Sequence, residues 1–200
     1  RDGPESGQGD RRDGATGTRD AVPNEMSLQH PHASSPPTRR RLTILFTDLV
    51  GSTVLGREME TEEFSALLHE LREICRAAAV RRNGTIARMQ GDGATIVFGH
   101  PEPGEDDGRR AADAALEIHD KVGELRPVGL PARFLPLRMH SGIHAGMALI
   151  AAGDIETGVF DLVGDAPNVA ARLSQRASPG QIVASADALG PNAHFFKVKA

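Results

Sequence analysis

Along the chain, apolar positions begin to recur with fixed periods only after about residue 38. From Arg1 to Thr38 the sequence is rich in Gly, Pro, Ser, Asp and Arg and nearly lacks large apolar side chains. Such a segment cannot bury enough surface to offset its ordering entropy, so a disordered tail is expected over 1–38 and one globular domain over 39–200. Arg39-Arg40-Arg41 marks the boundary, and His30 and His32 before it read as solvated tail residues. Leu42-Thr-Ile-Leu-Phe-Thr-Asp48 is β-branched and apolar and predicts a buried strand. After Gly51-Ser52-Thr53, the spacing of Phe64, Leu67, Leu68, Leu71, Ile74, Cys75 and Ala78 predicts one long helix, ended by Asn83-Gly84.

Thr85 to Met89 and Ala94 to Phe98 read as two strands joined by the hairpin turn Gln90-Gly91-Asp92-Gly93. A second helix is expected from about Gly108 to Leu125, with Ala111, Ala112, Ala115, Leu116, Ile118 and Val122 on one face. Leu137 to Ala145 and Met147 to Ile150 read as a further strand pair, followed by a Gly-rich excursion to Phe160. Pro167 to Arg176 predicts a short helix, and Gln181 to Ala184 and His194 to Val198 late strands. The order strand, helix, two strands, helix, strand is that of an α+β fold: a ferredoxin-like core with additional strands and helices.

Composition narrows the partners. Aromatics make up 4% with no Trp or Tyr, so the core must be aliphatic and Ala-rich. A net charge of −4 gives no overall basic field for a nucleic-acid polymer or an anionic membrane. A small polyanion would need a local device, such as metal ions or a ring of backbone N–H groups. The single cysteine, Cys75, rules out an intrachain disulfide and falls in an apolar helical stripe as a core residue. No apolar run reaches the roughly 18–20 residues that span a bilayer. A cytoplasmic domain without a membrane segment of its own is expected. The chain opens on Arg1 and reads as a piece of a longer product, which leaves upstream tethering open.

Three segments carry chemistry. Asp48 ends the first strand and runs straight into Leu49-Val50-Gly51-Ser52-Thr53. A carboxylate at a strand end beside a glycine turn suits phosphate chemistry, because it can hold a cation that bridges phosphate oxygens. Alternatively, Asp48, Ser52 or Thr53 caps the helix. Asp92 at the hairpin tip would come close to Asp48, and two carboxylates at that spacing suit two-metal phosphoryl transfer, although Gly-Asp-Gly is also an ordinary turn. In Asp161-Leu-Val-Gly-Asp-Ala-Pro-Asn-Val-Ala-Ala-Arg172, Asp165 is a plausible N-cap and Pro167 a first helical residue. Asn168 and Arg172 then share a face that suits a ribose oxygen and a phosphate, or simply solvent, with Val169, Ala170 and Leu173 opposite.

Phe46-Thr-Asp-Leu-Val-Gly-Ser-Thr53, Gly91-Asp92-Gly93, Ser141-Gly-Ile-His-Ala-Gly146 and Asp161 to Arg172 resemble, in order and spacing, the signature blocks of class III adenylyl and guanylyl cyclases. The resemblance covers about Arg40 to Lys199. It implies that Asp48 and Asp92, with the carbonyl of Leu49, bind two Mg2+ or Mn2+ ions. It also implies that Leu49, Val50, Gly51, Ser52 and Thr53 cradle the phosphates, that Asn168 orients the ribose, and that Arg172 stabilises the α-phosphate in the transition state. The metal carboxylates would come from one protomer of a homodimer, and Asn168, Arg172 and the base-reading residues from the other. Arg88 stands where adenylyl cyclases of the family usually have Lys, and Asp161 keeps their acidic position. A cation donor and a carboxylate acceptor match N1 and the 6-amino group of adenine. Lys199, or else Lys197, would take the γ-phosphate, although the chain ends before the family's final strand.

The expected function is therefore an adenylate cyclase converting ATP to 3′,5′-cyclic AMP and pyrophosphate. The alternatives are a low-activity or inactive cyclase-like module for nucleotide binding or regulatory dimerisation and, disfavoured by Asp161, a guanylate cyclase. A polymerase-like palm shares the two-metal logic but leaves Asn168 and Arg172 unexplained. His140 and His144 alternate onto one strand face and could chelate a metal, but strand histidines are mostly packed or solvated.

Overall fold

The structure, a computed structural model, describes residues 38–150 and 161–199. The tail expected over 1–38 lies outside the described residues, except that Thr38 opens the first strand; the excursion at 151–160 and Ala200 also lie outside them. The elements are β1 (Thr38–Leu49), α1 (Ser52–Glu58), α2 (Thr61–Arg81), β2 (Thr85–Gln90), β3 (Gly93–Phe98), α3 (Asp107–Glu124), β4 (Met139–Ile150), β5 (Leu162–Val163), α4 (Asp165–Arg176), β6 (Ile182–Ala184) and α5 (Ala186–Leu189). Short 3-10 turns lie at Ala132–Phe134 and Gly190–Phe195.

The sheet runs β2-β3-β1-β4-β5, with β6 pairing parallel to β4. Its β1-helix-β2-β3-α3-β4 portion is the predicted ferredoxin-like core. Alternation along β1 sends Leu45 and Leu49 to one face, where α2 and α3 bury them with Leu67, Leu71, Cys75, Ile118 and Val122. Leu42 and Ile44 go to the other face, where α4 covers them with Ala166 and Ala170. Gly142 permits that second layer: a Cβ there would collide with the Ala170 carbonyl and the Ser174 amide.

Several elements differ from the sequence reading. The long helix is two, because Met59, extended at φ −99° and ψ 153°, breaks it after Glu58. The strand pair expected over Leu137–Ala145 and Met147–Ile150 is one unbroken strand, β4, paired with β1 along its whole length. The strand expected over His194–Val198 is absent: Pro191 sits at the start of a 3-10 turn that ends at Phe195, and residues beyond it are irregular. The fourth helix starts at Asp165 with Gly164 as its N-cap. Pro167 is thus its third residue, where a missing N–H still costs no intrahelical bond. The residues it buries are Ala166, Ala170 and Ser174, with Val169 and Leu173 only half-buried.

Candidate active site

β1 ends between β3 and β4, and the site gathers at that end. Asp48 is paired with Gly93 on one side and His140 on the other, and the Leu49 amide donates to the Asp92 carbonyl at 3.3 Å. The hairpin therefore brings Asp92 to Asp48 across 44 residues of sequence (92 − 48). The hairpin tip is held from behind by Arg72 of α2, whose guanidinium donates to the Gly91 carbonyl at 3.2 Å. Gly93 supplies clearance for the carboxylate, since a Cβ there would lie 2.9 Å from Asp48 Oδ1 and 3.2 Å from the Thr47 carbonyl. Burial, then the neighbouring Asp92 carboxylate, push the Asp48 carboxyl up to about 6; His140 and the Leu49 amide pull it back less strongly. Two carboxylates so placed form a hard oxygen donor set that suits a divalent cation, so the residues fit the metal chemistry expected of them.

The segment after Asp48 forms a tight turn. Val50 donates to the Arg138 carbonyl at 2.9 Å, and Gly51, with φ 73°, is the N-cap of α1. No side chain caps α1, so Asp48, Ser52 and Thr53 are all left free of that duty. Ser52 and Thr53 occupy its first turn.

The other predicted residues form a second group. Arg88, exposed on β2, donates from Nη2 to Asp161 Oδ1 at 2.9 Å, so both expected base-reading residues meet within one chain. Asn168 and Arg172 lie exposed on one face of α4; the Asn168 amide donates to the Gly164 carbonyl at 3.3 Å, and Arg172 has no carboxylate partner among the described residues. Among the described residues, no hydrogen bond or ion pair joins either to Asp48 or Asp92. Lys197 and Lys199 are exposed after the last 3-10 turn. In that turn Phe195 packs under Arg109 of α3, and among the described residues no ion pair joins either lysine to Asp48 or Asp92.

Sequence reasoning missed two histidine arrangements. His119 of α3 shares a hydrogen bond of 2.8 Å with Ser141, which donates to Thr47 at 2.8 Å, all beneath the strand end that carries Asp48. Burial pushes the His119 ring down to about 4, so it is neutral at pH 7. His140 and His144 share a face of β4 as expected but do not converge: His144 Nδ1 lies 2.9 Å from Ser185 Oγ, whereas His140 Nε2 lies 3.7 Å from Asp48 Oδ2. The only sequence signal for this was the alternation itself, since partner strands are not legible from spacing within β4.

The family model described as the adenylate and guanylate cyclase catalytic domain matches residues 35–191. Adenylate cyclase 1 of Rhizobium meliloti is 26% identical over 136 residues, which are 68% of this chain and 20% of that protein. The receptor-type guanylate cyclase gcy-20 of Caenorhabditis elegans is 30% identical over 154 residues, 76% of this chain and 14% of that one. The solved guanylyl cyclase Cya2 superposes with a TM-score of 0.67 at 27% identity, over 76% of this chain and 78% of that structure. The chain spans a fifth or less of the length of these two curated relatives. No helix among the described residues is long and apolar enough to cross a membrane.

Proposed function

From the premise that the chain belongs to the adenylate and guanylate cyclase catalytic domain family, we propose that it converts ATP to 3′,5′-cyclic AMP and pyrophosphate as a homodimer. The observation that carries this reading is the Asp48–Asp92 pair at the end of β1, where burial and the neighbouring Asp92 carboxylate push the Asp48 carboxyl up to about 6. Two Mg2+ or Mn2+ ions bound there, with help from the Leu49 carbonyl, would supply Lewis acidity that activates the 3′-hydroxyl and neutralises the triphosphate. The turn Leu49 to Thr53 faces the phosphates. In the reaction the O3′–Pα bond forms, the bond from Pα to the bridging oxygen of pyrophosphate breaks, and the hydroxyl proton leaves to solvent.

Asn168 holds the ribose so that O3′ lines up with Pα, and Arg172 meets charge building on the α-phosphoryl oxygens with its planar fork. These two belong to the partner's half of each site. This division rests on the family resemblance. Lys199 is assigned to the γ-phosphate on the family resemblance alone.

The choice of ATP rests on Arg88 and Asp161. Among the described residues their ion pair engages only Asp161 Oδ1, so Oδ2 can accept from the 6-amino group of adenine and further guanidinium N–H groups can donate to N1. Guanine presents the opposite polarity. The same ion pair favours a second reading, a regulatory module whose base pocket is satisfied by its own side chains and turns over slowly.

Incubation of the purified protein with Mn2+ and either ATP or GTP, followed by chromatography of the cyclic products, separates the readings. Cyclic AMP, lost in Asp48→Ala and Asp92→Ala, is expected. Cyclic GMP as the main product would sink the assignment to ATP, and nucleotide binding without either product would favour the regulatory module.

A further inference from the structure

Asp92 stands on a two-residue turn, so the direction of its carboxylate depends on how the peptides on either side of it are held. Gln90 and Gly93 close the hairpin as a pair, which leaves Gly91 and Asp92 as the central residues. Gly91 has φ 58°, and among the described residues Asn83 is the one non-glycine with a positive φ, so Asp92 keeps a negative one. That combination is a type II′ turn, with glycine at the first central position. Turning the Gly91–Asp92 peptide over would convert it to type I′, with Asp92 in the left-handed region that aspartate tolerates. The side chain would then leave the hairpin in another direction, whereas it now stands beside Asp48.

Two bonds oppose that turnover. The Asp92 carbonyl accepts from the Leu49 amide at 3.3 Å, on the β1 side. The Gly91 carbonyl, which belongs to the peptide that would flip, accepts from Arg72 Nη2 of α2 at 3.2 Å. Arg72 works from a firm base, since its neighbours Leu71 and Cys75 are sealed in the core. No helical ion pair competes for its guanidinium: the residues three and four away are Leu68, His69, Cys75 and Arg76, and the adjacent Glu73 is paired with Arg76. Among the described residues Arg72 has no carboxylate partner, and the turn carbonyl is its one hydrogen-bond acceptor. We propose that Arg72 is a positioning residue for Asp92: by holding the Gly91 carbonyl it fixes the peptide plane that aims the Asp92 carboxylate at Asp48. The inference rests on the cyclase reading for what that aim serves, the binding of divalent cations by the two carboxylates.

The test uses Arg72→Met in the whole chain, which keeps a long helix-forming side chain but removes its donors, with Arg72→Gln and Arg72→Lys alongside. In the metal-free protein the Gly91 carbonyl 13C and Asp92 amide 15N resonances should move in Arg72→Met and return toward wild type in Arg72→Gln, an uncharged donor. Mn2+ affinity, measured without nucleotide, should fall about tenfold in Arg72→Met, as expected when a group that orients a metal ligand is lost. The kcat should fall with it, whereas KM for ATP at saturating Mn2+ should change less than about twofold. Arg72→Ala, the substitution a helix accepts most readily, repeats every arm should Arg72→Met fold poorly. Unmoved resonances and wild-type Mn2+ affinity in a folded variant overturn the proposal. A raised KM with unchanged kcat also overturns it, because Arg72 would then be a nucleotide contact. Rescue by Arg72→Lys but not by Arg72→Gln overturns it too, because the charge and not the bond would be what matters. Mn2+ lost in Asp92→Ala but kept in Arg72→Met removes the Arg72 assignment alone, and equal Mn2+ binding by wild type and Asp92→Ala overturns the cyclase reading itself.

Discussion

Replacing Asp48 by Asn should make the metal-free protein more stable at pH 8 while destroying its activity. The Asp48 carboxyl rises from 3.8 to about 6, first because the strand end buries it and then because Asp92 stands beside it. A group whose folded value exceeds its unfolded value binds more protons when folded, so stability falls as pH climbs between the two values. The penalty is absent below about pH 3.8, grows through the interval and is complete above about pH 6. The full rise corresponds to about 3 kcal/mol. The side chain is 34% exposed, so solvent screening reduces this to about 1–2 kcal/mol. For a domain of this size the gain is roughly 2–8 °C in Tm. Thermal melts of wild type and Asp48→Asn in EDTA, at steps from pH 4 to pH 8, measure it as a difference that cancels every other titrating group. Added Mn2+ should raise the wild-type Tm and leave the variant unmoved. An Asn variant less stable than wild type at pH 8, or a difference that does not change with pH, would refute the reasoning.

Three further outcomes are expected. Gly93→Ala should cost some stability, because the new Cβ also meets the Thr47 carbonyl at 3.2 Å, and lower Mn2+-dependent turnover at least tenfold by turning Asp48 away; unchanged kcat would count against the clearance argument. Arg88→Lys should keep or raise kcat/KM for ATP, since lysine also donates to Asp161 and to adenine N1. A loss in that variant would mean that the guanidinium fork is itself required. Asp48→Ala and Arg172→Ala should each be inactive alone, yet regain partial activity when mixed, because a heterodimer contains one site with neither substitution. An inactive mixture in which native mass spectrometry detects heterodimers would sink the shared-site arrangement.

What the sequence revealed and what it hid follow from the range of the forces involved. The Asp48–Asp92 juxtaposition was legible because period-two alternation, a Gly-Asp-Gly turn and a buried first strand admit few registers. The misreading at Ala145–Met147 came from breaking the strand at Gly146. In the fold Gly146 is extended and paired with Leu42, and its missing Cβ makes room for Ala166 of α4 instead. A glycine kept for close approach looks, from sequence alone, like one kept for a turn. His194 to Val198 carries strand-like residues, but Pro191 commits the segment to a 3-10 turn. His119, Ser141 and Thr47 come from three elements, and no local pattern announces a hydrogen-bonded chain across them. The same holds for the approach of His140 to Asp48, a cross-strand neighbour 92 residues away (140 − 48).

The two faces of the sheet explain how one strand tolerates an unfavourable charge at its tip. On the side away from α4, Leu45 and Leu49 are essentially sealed, at 0% and 2% exposure, and Thr47 is tied to β4 through Ser141. Each buried leucine is worth about 1.5–3 kcal/mol, comparable to the cost of the buried charge at Asp48. The alternation of β1 sends those anchors to one face and Asp48 to the other, so the carboxylate can be changed without disturbing the packing that fixes its position. Stability and charge are thus separated by a single residue step along the same strand. It follows that Thr47→Val and Asp48→Asn, though adjacent, should move in opposite directions: the first loosens β1 on β4 by leaving the Ser141 hydroxyl without its acceptor, and the second removes a buried carboxylate charge that stands beside Asp92. Equal signs for the two stability changes at pH 8 would mean that the faces are not independent.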